Sequence, residues 1–260
     1  MKTNRILAKL RANEPVPVPV VWTVPHWKIV EMIGLAGYEC VWIEMEHSDY
    51  TLENMSQMIL AARATGMEAI VRVPRRGYTD YIKTLEAGAT GLIYPHCTNA
   101  DEAREFVRAT RFQPLGWRGM GGSVDTQYGT MPLDKYWEHG NNEVLLAVMI
   151  ERKEAVDDID AIVAVEGLDG VVIGPGDLSQ SYGLIGQFDH PQIHEARARV
   201  AEACAKHGKW WGCPCQSPEA AKTLMPEGAR FLFAWTTELG ALTTAFSESM
   251  QAFTELDLTA

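Results

Sequence analysis

The chain has 260 residues, 47% of them hydrophobic and 22% charged, with a formal net charge of −11. This length suits one large α/β domain whose core needs no disulfide staples. The acidic balance argues against a basic phosphate-binding face, so no nucleic-acid partner is expected.

Short apolar runs recur along the chain, each followed by a stretch with helical spacing. The predicted strands are 18–23, 38–44, 68–73, 91–95, 143–151, 168–174, 209–214 and 229–235. They are β-branched or aromatic and mostly continuous, the pattern of parallel strands buried on both faces. Predicted helices lie at 99–112, opened by Asn99 and early acids, and at 153–167, stopped by Gly167. Two more lie at 190–209, stopped by Gly208, and at 217–228, with Ser217 as cap and Pro218 in the first turn. Eight strands with helices between them count out a single-domain (β/α)8 barrel over 1–260, although a doubly wound open sheet fits the same count. The long stretch 113–142 reads as irregular and, at that length, as functional or interfacial.

The five cysteines, Cys40, Cys97, Cys204, Cys213 and Cys215, form no disulfide framework, and Cys213-Pro214-Cys215 lacks the second pair of a zinc site. No segment approaches the ~20 apolar residues of a membrane helix. The N-terminus carries no signal-peptide core, so a cytoplasmic location is expected.

In a β/α barrel the site lies at the C-terminal ends of the strands. Those ends supply Glu44, Glu46 and His47, then Arg72, His96, Glu151 and, in "GPGDLS", Asp177. Glu151 and Asp177 follow neighbouring strands and would make a hard, oxygen-rich site for Mg²⁺ or Mn²⁺. The alternative is that Glu151 pairs with a nearby base and Asp177 caps a helix. Gly174 and Gly176 allow a tight turn whose free amides suit an anion. Arg72, emerging from a core strand, needs a partner: Glu44 or Glu46 structurally, or a developing oxyanion. His47, beside acids, suits a base near neutrality. His96 has the weaker claim. Glu86, before the fourth strand, reads as an exposed helix-end acid. Trp22, Trp117, Tyr128 and Trp235 are candidates to line an apolar pocket. No lysine stands at a strand end, which argues against a Schiff-base mechanism.

The stretches "VWIEMEH", "VRVP", "LEAGATGLIYPH", "NADEAREFVRATRFQPLGWRGMGG", "IERKEAVDDIDAIVAVEGLDGVVIGPGDLSQSYG" and "HPQI" together resemble the HpcH/HpaI aldolase family, the metal-dependent class II pyruvate aldolases, over about 17–240. The resemblance implies a (β/α)8 barrel with an exchanged C-terminal helix, assembled as a trimer or hexamer. It implies Glu151 and Asp177 as ligands of a divalent ion (Mg²⁺, Mn²⁺ or Co²⁺), with pyruvate completing the coordination. It implies Arg72 neutralising the pyruvate enolate and His47 as base. It places Glu86 where relatives have an aspartate that orients this histidine, often across a subunit boundary. Gly174, Pro175 and Gly176 would offer amides to the carboxylate beside Asp177. The implied reaction is reversible cleavage of a 4-hydroxy-2-oxo acid to pyruvate and an aldehyde. A citrate-lyase-like acyl-CoA lyase and a non-catalytic metal-binding barrel are the rival readings. The chain departs from the family at Glu44 and Glu86, where relatives have aspartate, and in "FAWTTELGA" (233–241), which lacks the usual Gly-x-Asp.

Overall fold

A computed structural model of the chain describes residues 3–256. Eight parallel strands close a barrel in sequence order, each pairing with the next and the last with the first. They are β1 (Val16–Val21), β2 (Cys40–Glu44), β3 (Glu68–Arg72), β4 (Gly91–Cys97), β5 (Leu145–Ile150), β6 (Gly170–Ile173), β7 (Trp210–Pro214) and β8 (Ala229–Thr237). All eight fall on the runs read from the sequence, and closure rules out the open-sheet alternative.

The continuous apolar runs have a direct explanation. Successive residues of a strand point to opposite faces, and both faces here are covered. One set fills the barrel interior: Val18, Val20, Cys40, Trp42, Ile70, Ile93, Leu145, Ala147, Met149, Val172, Trp210, Phe231 and Phe233. Ile6, Leu7 and Leu10 of the helix Arg5–Arg11 join that set and plug the lower mouth. The alternate set, including Val41, Ile43, Val71, Leu92, Leu146, Val148 and Val171, packs against the surrounding helices.

The predicted helices appear as Ala100–Thr110, Pro191–His207 and Pro218–Leu224, each with an N-cap side chain accepting a backbone N–H. The predicted helix 153–167 is two short helices, Lys153–Asp157 and Ile159–Val163, broken at Asp158, whose carboxylate instead accepts from the Ala100 amide. The stretch 113–142 is less irregular than its composition implies. It contains a 3₁₀ turn, Val124–Thr126, and a full helix, Leu133–Asn142. A buried cluster ties the two together: Arg118 donates to Asp125 at 2.6 Å and to the Tyr136 hydroxyl at 2.9 Å, and that hydroxyl donates to Asp125 at 2.7 Å.

The final helix, Glu238–Thr254, stands apart. Its only buried residue is Glu238, whose carboxylate accepts from the backbone amides of Trp22, Thr23 and Val24 and so pins the helix start to the loop after β1. Leu239, Phe246, Met250 and Phe253 form one apolar stripe at helical spacing, and all four are exposed. Among the described residues no helix is long and apolar enough to cross a membrane.

Candidate active site

Strand parity builds the site. Trp42, Ile70 and Met149 point into the barrel, so two residues further on Glu44, Arg72 and Glu151 point inward as well, forming its uppermost layer. Glu44 and Arg72 are direct register partners across β2 and β3. Their side chains meet at 2.6 Å, Glu44 Oε2 to Arg72 Nε, with only 1% and 7% of each exposed. The same Oε2 accepts from Trp42 Nε1 at 3.2 Å, while Oε1 accepts from the amides of Glu46 and His47 at 2.6 and 3.0 Å. Glu44 therefore fixes Arg72 and also shapes the turn that carries Glu46 and His47.

The far end of the guanidinium faces the site. Arg72 Nη1 lies 3.1 Å from Glu46 Oε2, 3.8 Å from Glu151 Oε1 and 3.4 Å from the Met149 sulfur. Its Cζ is 6.0 Å from the ring of Trp22 and 5.8 Å from that of Trp42. The two structural partners proposed from sequence are thus both real, and they leave one edge of the arginine available to a ligand.

His96 enters by a different route. Between Tyr94 and Cys97 on β4 there are three residue steps, but only two between their partners Val148 and Ile150 on β5. The extra residue makes a bulge, and His96 takes a left-handed φ of 48° there. The bulge turns the imidazole toward the mouth, between Glu46 Oε1 and Glu151 Oε2, each 3.5 Å away. The His96 amide donates to Glu151 Oε2 at 2.9 Å. Sequence reasoning gives His96 the weaker claim because no acid stands beside it in the chain, and regular alternation from Ile93 would turn Pro95, not His96, inward.

Glu46 lies between two histidines, with His47 Nε2 3.7 Å from its Oε2. His47 itself is half exposed. Burial raises the pKa of both Glu46 and Glu151. Repulsion from Glu151 adds to this for Glu46, and repulsion from Asp177 does so for Glu151, while Arg72 opposes the rise in both. Burial lowers that of His96. Three carboxylates (Glu44, Glu46 and Glu151) contact one buried guanidinium and Asp177 lies close to Glu151, so the mouth carries an excess of acidic groups.

That excess, with the donor set, fits a divalent cation. Ligand atoms of His96, Glu151 and Asp177 lie within 4.8 Å of one another. His96 Nδ1 is buried without a hydrogen-bond partner among the described residues. A Cβ on Gly174 would sit 2.4 Å from Glu151 Oε1, so only glycine leaves that carboxylate its position.

The turn after β6 works differently from the sequence expectation. Pro175 has no N–H, and the Gly174 amide already donates to Ile150 O at 3.2 Å. Of the three turn residues only Gly176 keeps an amide to offer an anion, joined by the amide of Asp177 in the first turn of Pro175–Ser181.

A cavity of about 1050 Å³ opens at this end of the barrel, lined by Trp22, Glu44, His47, Arg72, Glu151 and Asp177 among others. Glu46 and His96 flank it. No lysine lines it among the described residues. Of the four aromatic candidates only Trp22 lines it. Trp117 stacks on Tyr78 at 4.8 Å, Tyr128 borders a separate surface groove with Glu86, and Trp235 packs on the outer core.

Glu86 ends the helix Tyr78–Glu86 and borders a separate surface groove rather than the cavity at the barrel mouth. It sits against Gly121, and burial and Asp125 raise its pKa while Arg118 opposes the rise.

Residues 24–238 match the family model described as HpcH/HpaI aldolase/citrate lyase. The chain is 34% identical over 203 residues to a hydroxypyruvate/pyruvate aldolase of Roseobacter denitrificans, covering 78% of this chain and 79% of that one. It is 33% identical over 229 residues to a 2-keto-3-deoxy-L-rhamnonate aldolase of Salmonella schwarzengrund, covering 86% and 82%. The crystal structure of an HpcH/HpaI aldolase from Desulfitobacterium hafniense superposes with a TM-score of 0.90 at 30% identity, covering 96% of this chain and 97% of the other. With the barrel, the strand-end acids and these matches all in agreement, the chain belongs to the HpcH/HpaI aldolase/citrate lyase family.

Proposed function

We propose that the protein is a divalent-metal-dependent aldolase that reversibly cleaves a 4-hydroxy-2-oxo acid into pyruvate and an aldehyde. The observation that carries this reading is the excess of buried carboxylates around Arg72, with Glu151 and Asp177 placed to hold a cation at the mouth of a cavity large enough for a small hydroxy-oxo acid. A bound Mg²⁺, Mn²⁺ or Co²⁺ would supply Lewis-acid polarisation of the substrate's keto group.

The chain's own groups divide the remaining work. Arg72, held at Nε by Glu44, presents Nη1 to the oxyanion that develops as the C3–C4 bond breaks. His47 takes the proton of the 4-hydroxyl in cleavage, and in the reverse sense accepts a proton from pyruvate's methyl group. Glu46, 3.7 Å from His47 Nε2, orients the imidazole. The amides of Gly176 and Asp177 face the substrate carboxylate. The absence of a cavity-lining lysine among the described residues supports metal rather than Schiff-base chemistry. The related aldolases favour this reading over acyl-CoA cleavage.

The exposed stripe on Glu238–Thr254 is assigned to packing against a second copy of the chain, as in a homo-oligomer built by helix exchange. Glu86, which lies outside the pocket of its own chain, then serves the site of a neighbouring copy.

The test is exchange of pyruvate's methyl protons in D₂O, followed by NMR. Exchange should require Mn²⁺ or Mg²⁺, stop with EDTA, and fall by about 10²-fold or more in His47→Asn and Arg72→Met. Exchange that survives chelation, or survives in Glu151→Gln and Asp177→Asn, overturns the assignment.

A further inference from the structure

We propose that His96 is a third protein ligand of the cation held by Glu151 and Asp177, giving the site a mixed nitrogen–oxygen donor set. The proposal rests on the metal reading above and deepens it.

Three features of the chain converge on this role. The first is distance: one ligand atom from each of His96, Glu151 and Asp177 fits within 4.8 Å of the others. The second is the backbone. β4 spends an extra residue and a left-handed φ of 48° at His96, a conformation uncommon for a residue with a Cβ. Strain of this kind persists where surrounding contacts over-determine it, and it clusters at functional sites. Here the restraint is specific, since the amide of the same residue bonds Glu151 Oε2 at 2.9 Å. Backbone and ring are thereby locked to the carboxylate that would share the metal.

The third feature is which ring nitrogen is free. Nε2 lies 3.5 Å from Glu46 Oε1, and Nδ1, buried without a hydrogen-bond partner among the described residues, lies at the same distance from Glu151 Oε2, the carboxylate that would share the metal. A carboxylate on one imidazole nitrogen places the proton there and leaves the lone pair on the other for a metal. Glu46 would thus orient His96 as well as His47. Imidazole suits Zn²⁺ and the later first-row ions better than Mg²⁺, so His96 would tilt the site's preference away from Mg²⁺.

Pulsed EPR on the Mn²⁺-loaded protein tests this directly. The wild type should show ¹⁴N modulation from a coordinated imidazole, replaced by the ¹⁵N pattern when histidine is ¹⁵N-labelled. His96→Asn, which tolerates the left-handed backbone, should lose the modulation, and His47→Asn should keep it. Calorimetric titration should show Mn²⁺ affinity falling about 10–100-fold in His96→Asn, with a smaller loss for Mg²⁺. Absence of nitrogen coupling in the wild type overturns the proposal even if the variant fails to fold. If Glu151→Gln and Asp177→Asn abolish Mn²⁺ binding while His96→Asn changes neither coupling nor affinity, the ligand proposal falls and the metal reading stands. If Mn²⁺ binds all these variants as it binds the wild type, both fall.

Discussion

Glu44 is the acceptor on which the upper layer of the barrel depends, and its replacement by glutamine gives a sharp test. Its two oxygens serve four donors: Arg72 Nε and Trp42 Nε1 on one, the amides of Glu46 and His47 on the other. A glutamine has one acceptor oxygen. Whichever way its amide turns, an NH₂ group faces two donors in a buried position. Removing one partner of a buried ion pair costs about 3–5 kcal/mol. Arg72 keeps Glu46 at 3.1 Å and Glu151 at 3.8 Å through Nη1, which places the expected loss at the lower end.

A loss of about 3 kcal/mol corresponds to a fall in Tm of roughly 6–12 °C for a chain of this size. Urea unfolding of the metal-free protein at one fixed concentration, read by tryptophan fluorescence, measures it. Arg72→Met should cost at least as much, because it leaves Glu44, Glu46 and Glu151 without their shared cation. The double variant should fall short of the sum of the singles, with a coupling on the order of 1–3 kcal/mol. A Glu44→Gln penalty below about 1 kcal/mol, or strict additivity, would refute the buried-pair geometry.

Gly174→Ala keeps an allowed backbone, with φ at −99°, but drives a methyl onto Glu151 Oε1. It should weaken Mn²⁺ binding markedly while costing only about 1–3 kcal/mol of stability, which calorimetry and urea unfolding measure separately. Glu46 and Glu151 have folded pKa values raised chiefly by burial. Their contribution to stability is full below the unfolded carboxyl pKa and is lost as pH rises through the folded value. The metal-free wild type should therefore lose stability with rising pH across that window more steeply than Glu151→Gln, and saturating Mn²⁺ should flatten the slope; parallel Tm curves would count against it. Phe246→Asp, on the exposed stripe, should lower the mass seen by light scattering without changing the helical content. An unchanged mass would remove this face from the assembly.

Much of the architecture was legible because its cause is local. Continuous β-branched runs mark strands covered on both faces, and each of the eight runs produced a strand. Glu44, Arg72 and Glu151 were legible as strand-end residues. Their convergence follows from parity, since each stands two residues beyond an inward apolar side chain. What stayed hidden depended on contacts distant in sequence. The helix Leu133–Asn142 lies in a stretch rich in glycine and polar residues and is anchored by Tyr136 to Asp125 and Arg118. Trp117 and Tyr128 have the composition of pocket residues, but the chain carries them to the outer flank. Glu86 reads from the residues as a helix-end acid, and only the resemblance assigns it to a site. A helix that follows a strand runs antiparallel to it, which carries its last residue away from the strand ends.

The bulge at His96 shows how a barrel can put more chemistry at its mouth than parity allows. With regular alternation, the interior position above Ile93 would fall to Pro95, and β4 would add nothing to the polar layer. One inserted residue, its amide donating to Glu151 and its carbonyl accepting from Arg75 Nη1, exchanges that proline for an imidazole. Beneath this layer the interior is closed by stacked rings, Trp42 on Phe233 at 4.8 Å with Phe231 and Trp210 below. Water then reaches the layer only from the mouth. In such a setting charges act on one another through a lower effective dielectric than at an exposed surface. Arg72 can therefore oppose several carboxylates at once, and a cation entering from the open side would relieve the strongest remaining repulsion.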